Sequence, residues 1–483
     1  MVAPTDAPAT PAPAPLPTGR SIELVLLAFA AALVTGALVL VEANQEQELT
    51  RSLLFLGLAY LALFGVAHLA VRRFAPYADP LILPAVALLN GLGLVMIHRL
   101  DLANFASDPN GADDLASKQV AWTAIGLALF IGVLWRVSDH RVLSRYAYTA
   151  GFVGIVLLAL PGLLPSSISE VNGAKLWIRI GPVGMQPGEF AKILLIVFFA
   201  AFLVQKRELF STAGRTFLGM EFPRARDLAP LLVAWGLSVG VLVLERDLGT
   251  SLLFFGIILV LLYAATERVS WMLIGLTFFV GGCVIAYQLF AHVRLRVLTW
   301  IDPLVACPAD KAFVACYERG GYQISQALFG LGTGGIGGTG LGAGRPDIVP
   351  FAESDFMLSS LGEELGLIGL AAILVIYLVL ITRGLRSALA VRDSFGKLLA
   401  TGLAFTIALQ VFIVIGGVSK LIPLTGLTLP FLSYGGSSLL ANYALVALLL
   451  RISNAARAPL PRKPATPQVP IAEAGTELVE RPT

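Results

Sequence analysis

Twelve stretches of this 483-residue chain are each apolar enough, over about 20 residues, to cross a lipid bilayer as a helix. They centre on residues 22–41, 52–71, 80–97, 120–137, 146–164, 190–204, 228–244, 250–265, 271–290, 356–381, 398–418 and 430–450. Hydrocarbon offers no partner to a backbone N–H or C=O. A spanning segment must therefore satisfy its own hydrogen bonds, as a helix does. The charge content agrees: 13% of residues are charged, where a soluble domain carries roughly 25%. Mean hydropathy is +0.82. The expected fold is an all-α polytopic membrane protein, and a soluble globular domain is excluded. Residues 1–20 are Pro/Ala-rich without an apolar core, which makes them an expected disordered tail and not a signal peptide. Residues 454–483 are polar and proline-rich and are expected to form a second tail.

Orientation follows from Lys and Arg in the short loops. With both tails inside, the inner loops hold Arg72 and Arg73, Arg136, Arg141 and Arg145, Lys206 through Arg226, Arg268, and Arg383 through Lys397. The outer loops hold acidic runs such as Glu42, Glu46 and Glu48, and Asp101 through Asp114. Both termini are thus expected in the cytoplasm. The net charge of +3 is small, and no nucleic acid is expected as a partner. The four histidines make no ligand-spaced pair and there is no cysteine cluster, so no zinc site is expected.

The polar residues that break this apolar background are the candidates for chemistry. Asp355 stands at the mouth of the tenth span, beneath the longest outer loop, about residues 291–354. An ionisable group at that depth is either functional or an interfacial acid that reaches water. Ahead of it, Gly330–Gly344 carries glycine at nine of fifteen positions. Within that run the match to a dinucleotide-binding fingerprint lacks the flanking strand. The run reads instead as backbone able to approach a ligand closely or to re-enter the membrane edge. Asp355, Ser359, Gly362, Glu363 and Gly366 share one helical face, either for close helix packing or as the wall of a polar groove.

Further candidates come from the other outer segments. Asn172–Lys192 is an amphipathic loop with Trp177 and Arg179. Pro187 marks a helix start, and Glu189 either favours that start or, paired with Lys192 one turn on, lines a cavity. Asp247, in a short hairpin, either caps the next helix or joins the polar site. Arg294 and Arg296 lie two residues apart and share a face only in extended chain. Phosphate or pyrophosphate recognition would explain two outer guanidiniums, as would an ion pair with Asp302. Cys307 and Cys316, nine residues apart on the oxidising side, are candidates for a disulfide. In the last span, Pro430 and Gly435–Gly436 break the helix while Ser433, Tyr434, Ser437 and Ser438 supply hydroxyls.

Five co-linear motifs resemble the SEDS family, which includes RodA, FtsW and SpoVE. They are QPGEFAK (186–192), DLGTS (247–251), GYQISQALFGLGTGGIGGTGLG (321–342), ESDFMLSSLGEELG (353–366) and GLTLPFLSYGGSS (426–438). The resemblance covers roughly residues 79–453 and implies a core of ten helices. Residues 21–78 then form two accessory helices, and these, with the ANQEQ loop and the Pro-rich tails, look like the actinobacterial RodA type. The resemblance implies a peptidoglycan glycosyltransferase of cell-wall elongation that polymerises lipid II outside the cytoplasmic membrane, beside a class B penicillin-binding protein. It places the catalytic aspartate on Asp355 and adds Gln186, Tyr322, Gln326 and Glu364 to the candidate site. It also implies a divalent cation, Mg²⁺ or Mn²⁺, at a site it does not specify. Ser354 stands where the family usually has threonine, Glu353 where histidine is frequent, and Val414 where many relatives have asparagine. Asp355 would be the base for an inverting transfer, with Arg179, Lys192, Arg294 and Arg296 as candidate stabilisers of pyrophosphate charge. A lipid II flippase and a non-enzymatic scaffold for a transpeptidase are the competing readings.

Overall fold

Apolar runs of this length become helices because only a helix closes its own hydrogen bonds, and the chain's stop signals then set the ends. The computed structural model describes residues 18–46, 51–108, 113–171, 174–181, 183–206, 215–217, 220–222, 247–304 and 321–459, with positions 232, 236, 239, 240 and 245 between them. Among these residues ten helices are long and apolar enough to cross a membrane. They are α1 (Arg20–Asn44), α2 (Arg51–Phe74), α3 (Ile82–Ser107), α4 (Leu115–Arg136), α6 (Pro187–Gln205), α7 (Leu248–Thr266), α8 (Val269–Leu289), α11 (Met357–Ala390), α12 (Ser394–Val418) and α13 (Gly436–Arg457). A shorter apolar helix, α5 (Ala147–Leu163), follows α4. These eleven coincide with eleven of the twelve expected spans. Of the expected seventh, 228–244, only positions 232, 236, 239 and 240 are described, and the N-terminal tail through residue 17 and the C-terminal tail from residue 460 lie outside the described residues.

Local chemistry accounts for the starts. Asp114, Asp247 and Asp393 cap α4, α7 and α12 by accepting from Ser117 N (2.9 Å), Thr250 N (2.9 Å) and Gly396 N (2.7 Å). Pro187 opens α6 at its first turn, as its fixed φ and missing N–H favour. α3, α6, α12 and α13 are mostly buried within the bundle, whereas α8 lies at its edge with most of its surface open. α13 packs on α4, α5 on α6, α11 on α12, and α1 on both α2 and α3.

Two expectations change. The long outer loop is not one irregular span: it contains α9 (Ala291–Ile301) and α10 (Tyr322–Gly334). Cys307 and Cys316 lie between them, outside the described residues. The segment before α6 folds into two short antiparallel hairpins, β1 (Glu170–Val171) with β2 (Ala174–Lys175), and β3 (Ile178–Ile180) with β4 (Val183–Met185).

The glycine run begins as the end of α10 and then crosses α11 where that helix breaks. Gly366 has φ 66° and ψ −172°, a conformation open essentially only to glycine. The break exposes backbone groups, and the run supplies partners. Thr339 N and Gly340 N donate to Glu363 O and Glu364 O (both 2.9 Å), while Leu367 N and Ile368 N donate to Gly335 O (3.0 Å) and Ile336 O (3.2 Å). A Cβ on Gly366 would stand 2.2 Å from Gly338 N. Gly366→Ala is therefore predicted to lose at least about 2 kcal/mol from backbone strain, before any clash. Its thermal midpoint in detergent should fall clearly; an unchanged midpoint would show that the break is not a fixed feature.

Candidate active site

A cavity of about 1000 Å³ opens beside Asp355. Its walls come from α4 (Lys118, Trp122), the hairpin segment (Trp177, Gly184, Gln186), α9 (His292, Arg296, Trp300), the start of α10 (Gln323, Ile324), the turn before α11 (Glu353, Ser354, Asp355), and the segment leading into α13 (Leu424, Thr428, Tyr434, Ser437).

Two irregular segments meet at Asp355. The first is the turn at 351–356, where Phe351 takes a φ of 59° and accepts from both Ser354 N and Phe356 N at 3.1 Å. The second is 422–435, non-helical ahead of α13, as Pro430 and Gly435–Gly436 foretold. They are joined to each other: Ser433 Oγ donates to Ser354 O (2.6 Å) and Tyr434 N donates to Glu353 O (2.7 Å). The second segment's carbonyls are met from three helices. Arg296 of α9 donates to Leu424 O (3.2 Å) and Thr425 O (3.1 Å), Gln410 of α12 to Thr428 O (2.9 Å), and Tyr377 of α11 to Pro430 O (2.6 Å).

Asp355 is half-buried, with one edge toward the cavity and the remainder against protein. Burial pushes its pKa up to about 6. The negative charges of Glu353 and Asp247 act in the same direction, and the Arg296 guanidinium pulls against them. Burial likewise raises Asp247 and lowers Arg296.

Of the sequence candidates, Trp177, Gln186, Arg296, Asp355, Tyr434 and Ser437 line this cavity. Gln186 N donates to Ser437 Oγ (2.9 Å), tying the hairpin segment to α13. Just behind the wall are Ser433 and the capping Asp247. Deeper still, Glu189 and Lys192 form a buried ion pair (2.6 Å), with Lys192 also donating to Gln410 Oε1 (3.1 Å). The pair is a structural element of α6 rather than cavity lining.

Others point elsewhere. Arg179 is exposed on β3. Because α9 is helical, Arg294 and Arg296 diverge by roughly 200° around its axis. Arg294 turns to the carbonyls of Tyr287 and Gln288, leaving Arg296 alone at the cavity. Tyr322 and Gln326 are half-buried on α10 and do not line it; their neighbours Gln323 and Ile324 do. The stripe on α11 serves packing: Ser359 bonds back to Phe356 O (2.8 Å), Glu363 accepts from Arg345 N (2.7 Å), and Glu364 pairs with Arg99 (3.1 Å). That face is covered by the glycine run, so no groove follows it.

Sequence reasoning missed Lys118, Trp122, His292, Trp300, Gln323 and Thr428, which complete the walls. Gln323 and Thr428 lie within two of the five motifs, and the others had only their placement near span ends to mark them. Among the described residues no three His, Cys, Asp or Glu side chains form a metal-binding cluster. Asp355 and Glu353 both line the cavity, two carboxylates being the number on which an ion of the Mg²⁺ type commonly rests while water and substrate phosphate complete its shell. They do not fit a metal centre made by protein alone.

The fold and cavity define the class: a polytopic α-helical membrane protein with a chamber built around a carboxylate. The chain belongs to the FtsW/RodA/SpoVE family, whose family model, described as "Cell cycle protein", matches residues 79–458. It is 57% identical over 467 residues to the peptidoglycan glycosyltransferase RodA of Mycobacterium tuberculosis, covering 97% of each chain. It is 33% identical over 389 residues to the stage V sporulation protein E of Bacillus subtilis, covering 78% of this chain and 98% of the relative. Among solved structures, a chain from a study of polymerization and crosslinking by a peptidoglycan synthase complex matches at TM-score 0.60 and 27% identity, covering 78% of this chain and 97% of that one. A rod shape-determining protein RodA of Thermus thermophilus matches at TM-score 0.50 and 26% identity, covering 78% of this chain and 96% of that one.

The Glu189–Lys192 pair yields a direct test of its structural role. Lys192→Met strands a buried carboxylate and should cost about 3–5 kcal/mol. Adding Glu189→Gln should recover most of that loss in the thermal midpoint. A double variant as unstable as the single one would contradict the pairing.

Proposed function

We propose that this protein is a peptidoglycan glycosyltransferase that polymerises lipid II by inverting transfer during cell-wall elongation. One observation carries the reading: a carboxylate with a raised pKa fronts a chamber beside an arginine, in a chain that aligns almost end to end with relatives named peptidoglycan glycosyltransferase RodA. The identity to these relatives, against 33% to a probable peptidoglycan glycosyltransferase FtsW of Geobacter, favours an elongation role over division.

Lipid II presents a sugar on a pyrophosphate whose lipid stays in the bilayer, so its reacting centre lies at the membrane's outer boundary. The proposed orientation puts both termini in the cytoplasm and Asp355 at that outer boundary. The C1–O bond to pyrophosphate is α and the product linkage is β-1,4, which requires attack from the opposite face. Asp355 takes the proton of the attacking 4-hydroxyl. That oxygen bonds to C1, and the pyrophosphate leaves with the electron pair. With its pKa near 6, Asp355 is mostly ionised at pH 7 yet basic enough to share the proton as the bond forms.

Arg296 is the stabiliser best supported for the leaving pyrophosphate. It lines the chamber, and its half-buried guanidinium is already oriented by Leu424 O and Thr425 O. Arg179, Lys192 and Arg294 lack that position. A Mg²⁺ or Mn²⁺ ion held by Asp355 and Glu353 would add positive charge beside the phosphates when bound. The transpeptidase partner proposed is a class B penicillin-binding protein. The structural likeness to a chain studied in a peptidoglycan synthase complex supports such an assembly, and the open apolar surface of α8 suits a partner's membrane helix.

Asp355→Asn should keep lipid II binding and lower glycan polymerisation by about 10²–10⁴-fold, read on gels of products from purified lipid II. Wild-type rates in that variant would sink the assignment, and lipid II translocation without polymerisation in proteoliposomes would favour a transporter. The pH profile follows from the same residue. The ionised form acts, so activity should rise through about pH 6 and fall below it. An acid limb near pH 4 would mean the catalytic carboxylate is an ordinary exposed one.

A further inference from the structure

The two N-terminal helices precede the family core, yet α1 reaches the half-helix that follows Asp355. α1 ends at Asn44, and there Asn44 Nδ2 and Gln45 Nε2 donate to the carbonyls of Leu341 and Gly342 in the glycine run. The fit is close: a Cβ on Gly342 would lie 3.0 Å from Val41 O and 3.1 Å from Asn44 Cβ.

The other side of the same short segment holds Glu364. Gly342 N donates to Glu364 Oε2 (2.9 Å). Arg99 of α3, only 2% exposed, donates through Nε to Glu364 Oε1 (3.1 Å) and through Nη2 to Gly344 O (2.7 Å). Glu364 ends the half-helix 357–365, which Gly366 separates from the rest of α11. Asp355 sits two residues before its other end. A short helix detached at its base is only as well placed as whatever grips that base. Here the grip is Arg99 together with the glycine run, and the end of α1 holds the glycine run from its other side.

We infer that the C-terminus of α1 is a brace, with Asn44 and Gln45 as positioning residues that act through Gly342 and Glu364 to hold Asp355 in reacting geometry. The accessory helices are then part of the catalytic apparatus rather than an addition to it. The consequence for turnover rests on the glycosyltransferase reading. Ser433 and Tyr434 hold the Asp355 turn from the opposite side, so losing the brace weakens placement without abolishing it.

The full-length protein in detergent, carrying Asn44→Ala with Gln45→Ala, tests this. Misplacing a reacting group by a fraction of an ångström lowers turnover, and here kcat for lipid II polymerisation should fall about tenfold with KM within about twofold. The thermal midpoint should hold, and Gln45→Lys, which keeps a donor, should retain activity. An unchanged kcat, or a loss matched by a falling midpoint or a rising KM, overturns the brace. Amide hydrogen exchange gives a readout that needs no substrate. Thr339, Gly340, Leu367 and Ile368 should exchange at least about tenfold faster in the double variant, with distant helices unaffected. If the wild type fails to polymerise lipid II, the proposed function falls, and the brace is decided by exchange alone: acceleration confined to about 335–368 supports it, and unchanged protection overturns it.

Discussion

Backbone that is not helical has to find hydrogen-bond partners where it packs against other elements, and among the described residues two such segments pack around the half-helix that follows Asp355. The glycine run is satisfied by the broken backbone of α11, each supplying what the other lacks. The segment 422–435 has backbone partners outside itself near its ends, where Ile422 N donates to Gly416 O and Tyr434 N to Glu353 O. Its carbonyls are met by side chains sent from α9, α11 and α12: Arg296, Gln410 and Tyr377. The residues that look like strays in apolar helices are thus the ones that make an irregular, polar site tolerable inside a bundle. The cavity exists because that backbone does not continue as helix.

The same arrangement sets the character of Asp355. Its acidity reflects a contest in which burial and two neighbouring carboxylates outweigh one guanidinium. Arg296 has two tasks that geometry makes compatible. One nitrogen ties down the carbonyls of Leu424 and Thr425, while its positive charge remains beside the cavity and between Asp247 and Asp355. Asp247 in turn is committed to its cap on α7, from where it adds a small push in the same direction as the burial that dominates at Asp355.

Much of this was legible. The eleven described spans, the cap at Asp247, the start at Pro187 and the break before α13 all follow from local rules: apolar length, a carboxylate at a helix start, proline's fixed φ, paired glycines. Asp355 and Arg296, both candidates from the sequence, line one cavity. The errors share a cause. The stripe Asp355–Ser359–Glu363 has the right spacing for a wall, but a helical face says nothing about what covers it, and here the glycine run does. Arg294 and Arg296 were ambiguous until α9 proved helical. Lys118 and Trp122 share a face of α4, and His292 and Trp300 lie on α9, but nothing local in either helix says that the two meet at one cavity.

The sequence by itself determined the class, the membrane-crossing segments and the residue at the centre of the site, because hydropathy, capping and motif order act over a few residues to a few turns. Only the tertiary structure decided which polar residues converge on Asp355, that Arg99 is spent on Glu364, and that the end of α1 presses on the glycine run. Those outcomes depend on contacts between segments as much as 297 residues apart. A buried polar group takes whichever partner the packing brings to it, and no local pattern names that partner in advance.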